Sequence, residues 1–142
     1  MKLSSGFFYG NTSKTVLSAD FGLTETIYAP TIKLPVHSHE AAYFCFVLEG
    51  DFTEFYGRRS RLCRPSTLVF HPAGEKHSDR FETNARCFNI QMNALWLERV
   101  RQHSRVIESQ QTFMTSDCRI SPCGSTGNFG NSTIFLRSPS KV

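Results

Sequence analysis

A chain of 142 residues with 39% apolar and 20% charged residues suits a single globular domain with a full core. Its formal charge of +4 and pI near 8.9 are too mild to argue by themselves for a nucleic-acid partner. No apolar leader follows Met1, the longest apolar stretch is only Ala41 to Leu48, and the five cysteines lack zinc-ribbon spacing; a cytoplasmic protein with reduced thiols and no membrane contact is therefore expected.

In chain order, Phe7 to Tyr9 and Lys14 to Ser18 read as short opening strands around an Asn11-Thr12-Ser13 turn. Leu23 to Ala29 is rich in β-formers and stops at Pro30. Pro35 leads an extended chain into His37-Ser38-His39, where alternation puts His37, His39, Ala41 and Tyr43 on one face and Phe44, Phe46 and Leu48 on the other. Gly50 permits a bend before a strand from Asp51 to Tyr56, Gly57-Arg58 makes a hairpin turn, and Arg59 to Cys63 returns. Thr67 to Phe70 is a buried strand, Pro72 to Glu75 a turn before His77, and Arg86 to Met92 the last strand, with Cys45 and Cys87 as small buried apolar residues. From Asn93, a good N-cap, Trp96, Leu97, Val100, Ser104 and Ile107 fall at helical spacing. Short strands with regular turns followed by one helix predict a mainly all-β fold, a small antiparallel barrel with a helical appendage.

The candidate chemistry sits where His37 and His39 face His77 beyond a Pro-x-Gly turn. Three neutral imidazoles in one mouth suit a divalent transition metal such as Zn, Ni, Cu or Fe; the competing reading is a His-lined pocket for a small molecule, with no metal. Glu75 in the turn is a weak additional ligand or a residue that orients His77. His71, just before Pro72, reads as structural or surface, and Arg58, Arg59, Arg61 and Arg64 read as a solvated hairpin tip. No catalytic residue is assigned: the chain has no nucleophile elbow, phosphate loop or dinucleotide fingerprint.

These residues carry a resemblance to the cupin superfamily, whose two motifs read G-x5-H-x-H-x3,4-E-x6-G and G-x5-P-x-G-x2-H-x3-N. His37, His39 and Gly50 match the first, and Pro72, Gly74 and His77 the second. Tyr43 replaces the motif's Glu, Phe81 its Asn, and Thr31 and Ser66 its leading glycines. More narrowly, HSHEAAYFCFVLEG, LVFHPAGEKHSDRF and RCFNIQM resemble the amino-terminal sensing domain of AraC-type transcriptional regulators. The resemblance implies a jelly-roll-like cupin barrel over 1–93 with a ligand pocket at His37, His39, Tyr43, His77 and Phe81. It also implies a small-molecule effector, a homodimer, and a signal passed through a helix at 94–108 within a 94–116 linker. The family's helix-turn-helix units are not expected here, so specific DNA binding by this chain is not expected either. The alternatives are a stand-alone metal-dependent cupin enzyme, such as a dioxygenase or isomerase, and a small-metabolite-binding cupin.

Residues 117–142 are rich in Ser, Gly, Asn and Pro and read as an irregular tail. They also fit a frameshifted helix. In the frame that starts at each codon's third base, TCN serine codons and Phe codons place apolar residues at 121, 125, 129, 132 and 135, a helical stripe. The gene's nucleotide sequence separates this from a native tail.

Overall fold

The structure is a computed structural model that describes residues 1–103 and the backbone of 111–114. The expectations for 117–142, and for the helix beyond His103, lie outside the described residues. The elements are β1 (Lys2–Leu3), β2 (Asn11–Leu17), β3 (Phe21–Tyr28), β4 (Ser38–His39), β5 (Tyr43–Glu49), β6 (Phe52–Tyr56), β7 (Arg59–Cys63), β8 (Thr67–His71), β9 (Ser78–Phe81), β10 (Ala85–Met92), α1 (Ala94–His103) and β11 (Gln111–Met114).

One sheet has the order β11-β8-β5-β10-β3-β2 and the other β7-β6-β9, all antiparallel, with β1 and β4 forming a short parallel pair. The second sheet widens where the extended segment before β4 runs along β9: His37 and His77 exchange both backbone hydrogen bonds, at 2.8 and 2.9 Å, and Leu34 N–H donates to Asp79 at 2.8 Å. The two sheets close over a core of Tyr28, Tyr43, Val47, Phe52, Val69 and Phe81. The result is the small antiparallel barrel that the strand spacing predicts.

Alternation holds along β5, where Tyr43, Cys45 and Val47 are buried and Phe44, Phe46 and Leu48 are half-buried on the outside. It fails between His39 and Tyr43. The ladder is interrupted there, and Ala41 lies outside the barrel beside Phe21 and Gln91 instead of sharing the histidine face. The opening also differs from expectation. Asn11-Thr12-Ser13 begins a strand, while Phe7 to Tyr9 are a loop bracketed by Gly6 and Gly10, both at positive φ. Thr31 and Ser66, standing where the motifs carry glycine, keep the left-handed backbone at φ 66° and 71°.

Asn93 caps α1 through its Oδ1, which accepts the Trp96 N–H at 2.9 Å. The helix seats Trp96, Leu97 and Val100 on Phe21, Phe44, Phe70 and Met92, so the barrel's outer face covers its apolar stripe. Between 94 and 116 the structure adds a strand absent from the sequence reading: β11 pairs with β8, Gln111 opposite Phe70 and Met114 opposite Thr67. No helix among the described residues is long and apolar enough to cross a membrane.

Candidate ligand and metal site

His37 and His39 enter the barrel from the β4 segment, and His77 from the segment before β9 that pairs with it. All three are buried, and one ligand atom from each lies within 4.8 Å of the others. His37 Nδ1–H donates to the Pro35 carbonyl at 2.8 Å, leaving Nε2 as a lone-pair donor for a ligand. His39 Nδ1 is buried without a hydrogen-bond partner. Burial, reinforced by His37, pulls His39 down to about 3; burial, then His37 and His39, does the same to His77. His37 is lowered chiefly by burial. Neutral imidazoles with an orphaned buried nitrogen fit a transition metal, which would act as a Lewis acid if bound.

Tyr43 occupies the carboxylate's place in the motif, and its phenol lies 3.3 Å from His77 Nε2. Its ring stacks on His71 at 4.3 Å and 5°. Phe81 lies between Tyr28 (4.2 Å) and Phe52 (4.8 Å) as part of the chamber wall. Glu75 belongs to neither ligand grouping among the described residues. Burial raises its own carboxyl.

Four residues that the sequence reading left out, or set aside, complete the interior. His71 is buried, not at the surface, because it sits opposite Tyr43 in the β5–β8 ladder and faces the same way. Glu54 is fully buried on β6, flanked in register by Arg61 on β7 and Asp79 on β9. Arg61 Nε binds Glu54 Oε2 at 2.5 Å, and His71 Nδ1 lies 3.3 Å from Glu54 Oε1. The hairpin arginines therefore divide: Arg58, Arg59 and Arg64 are exposed, whereas the Arg61 side chain points inward. Burial, with His77 and Arg61 adding to it, keeps His71 neutral, so its contact with Glu54 is a neutral donor on a carboxylate. Asp79 is raised well above the usual carboxylate range by burial and by Glu54, against the pull of Arg61.

The chamber is nearly full. Its remaining free space is about 20 Å³, room for a water or an ion. Phe8 closes it over His39 (5.0 Å) and Tyr43 (5.1 Å), and Tyr9 stands edge-on to His37 at 5.0 Å.

A family model described as an AraC-like ligand binding domain matches residues 25–125. Among solved structures, the chain is similar to the cupin domain of Cnp3 from Schizosaccharomyces pombe, at 10% identity over 66% of this chain and 76% of that one, with a TM-score of 0.53. It is also similar to a cupin 2 conserved barrel domain protein from Salinispora arenicola, at 14% identity over 64% and 82%, TM-score 0.52. A cupin superfamily protein from Desulfitobacterium hafniense matches at 10% identity over 60% and 83%, TM-score 0.50. No curated protein matches the sequence. At these identities the structural likeness establishes the cupin fold.

Proposed function

The chain belongs to the AraC-like ligand binding domain family, and from that premise we propose that it is the cytoplasmic, effector-sensing and dimerising domain of an AraC-type transcriptional regulator. The observation that carries this reading is the double use of β5 and β8. On β5, Tyr43 lines the chamber while its neighbour Phe44 lies under α1; on β8, His71 lines the chamber while Phe70 lies under α1. Phe44 and Phe70 also touch each other, with ring centroids 5.0 Å apart. A ligand that shifts Tyr43 or His71 therefore moves the seat of the helix without any intervening layer. On the helix, Leu95 is 74% exposed and offers an apolar contact for a second copy.

Thermal melts of the purified chain against sugars, aromatic acids and divalent metals test the reading. An effector raises the melting temperature of the parent, and Tyr43→Ala abolishes the rise. In sedimentation the parent is a dimer and Leu95→Glu a monomer. A chain that no compound stabilises, or whose bound ligand leaves α1 and the dimer unchanged, refutes sensing through the helix. The grouping of His37, His39 and His77 favours a metal-dependent cupin enzyme as the second reading; turnover of a bound metabolite by the metal-loaded chain would establish it.

A further inference from the structure

His77 belongs to two ligand sets. Besides the imidazoles of His37 and His39, it groups with Glu54 and His71, all three buried and again with one ligand atom each within 4.8 Å. We propose that the ligand of this chamber is a single divalent transition-metal ion held by Glu54, His71 and His77. The inference rests on the reading of the barrel as the ligand-binding chamber and names what that chamber takes.

Three observations converge on it. The first is burial. One carboxylate and two imidazoles, those of Glu54, His71 and His77, converge away from solvent. The second is space. The chamber's free volume of about 20 Å³, which borders His71 as well as His37 and His39, admits an ion or a water, whereas a metabolite-sized ligand occupies hundreds of Å³.

The third is donor geometry. Glu54 Oε1 and His71 Nδ1 stand 3.3 Å apart, and two donors at ~2.1 Å from one tetrahedral ion are separated by roughly 3.4 Å. Tyr43 removes the carboxylate from its motif position, but Glu54 supplies one from β6. The contact of Glu54 Oε2 with Arg61 orients the carboxylate and turns Oε1 toward His71. His71 reaches the ion as a neutral ring by carrying its proton on Nε2 in place of Nδ1, so ligation by His71 needs no net proton release. Two imidazoles and one carboxylate suit Zn(II), Fe(II) or Ni(II).

The test uses the full chain without a histidine tag, stripped with chelator and re-equilibrated with Zn(II). Elemental analysis is expected to find one equivalent. Competition against a chromophoric chelator is expected to show affinity falling at least 10-fold in His71→Asn and Glu54→Gln, and less than threefold in His37→Asn. Circular dichroism of each variant checks its fold. Because Glu54→Gln also disturbs Arg61, a second readout uses the parent alone: with Cu(II) bound, pulsed electron paramagnetic resonance counts the coordinated imidazoles, and two are expected. Three imidazoles, or loss of Zn(II) in His37→Asn with retention in His71→Asn, overturns the proposal in favour of the mouth histidines. Failure to take up any metal also overturns it. In that case, stabilisation by a metabolite would leave the ligand-sensing reading standing, whereas stabilisation by nothing would remove both.

Discussion

Acidifying the metal-free chain from pH 7 to pH 5 should weaken it through His39 and His77. Both imidazoles are buried and held near a pKa of about 3, against about 6.5 in an unfolded chain. A folded pKa depressed below the unfolded one means that the unfolded state takes up the proton first. The stability is present above about pH 6.5 and is lost as the pH falls. At pH 5 the unfolded form gains about 2 kcal/mol per imidazole, about 4 kcal/mol for the pair. That is a large share of the ~5–15 kcal/mol that holds a domain of this size together. Asp79 acts in the opposite sense: its raised pKa keeps the folded state protonated where the unfolded chain is ionised, so its contribution fades as the pH rises. The clean quantity is therefore a difference of differences. Urea unfolding in chelator, followed by Trp96 fluorescence, is measured at both pH values for the parent and for His39→Gln/His77→Gln, so that Asp79 cancels. The parent should lose about 4 kcal/mol more than the double variant. Parallel losses would mean that these rings are solvated or already protonated in the fold.

Three further outcomes follow from backbone and packing. Gly50→Ala should cost about 3 kcal/mol or more and leave little folded protein in circular dichroism, because Gly50 has φ 71° and an added Cβ would lie 1.9 Å from the Asn84 carbonyl oxygen. Thr31→Gly and Ser66→Gly should each raise stability in urea by about 0.5–1 kcal/mol, since both residues are exposed and left-handed. Phe8→Ala should cost about 3 kcal/mol as an upper-range core truncation, and stopped-flow chelation should show faster loss of any bound metal once the ring over His39 and Tyr43 is gone.

The sequence made the chamber's histidines legible because an H-x-H spacing on an extended segment commits both rings to one side, and the Pro-x-Gly turn returns a third beside them. The cap at Asn93 and the two faces of β5 were readable for the same reason: each depends on local period alone. His71 stands just before the Pro72–Gly74 turn, where position along the chain does not give a face; counted across the sheet from Tyr43, it points inward. Ala41 was misplaced by carrying alternation through the break after His39. Glu54 and Arg61 were hidden because charges in a strand are expected outside, yet β6 buries Phe52 and Glu54 and leaves Phe55 39% exposed. A signal for them did exist. A two-residue turn at Gly57-Arg58 sets Tyr56 opposite Arg59, and counting back sets Glu54 opposite Arg61. Asp79 carried no such signal, because β9 itself was not anticipated.

The loop that carries Phe8 and Tyr9 makes the chamber a size filter with a thermodynamic toll. Withdrawing Phe8 from the imidazoles re-exposes a ring that is now 6% accessible, at a cost of about 3 kcal/mol, so on the order of one molecule in a hundred stands open. Any ligand too large to share the chamber with that ring binds only the open fraction, and its apparent affinity falls about a hundredfold from the intrinsic one. An ion that fits beneath the ring bears no such penalty. The same closed loop therefore discriminates between ligand classes before a single donor atom is engaged.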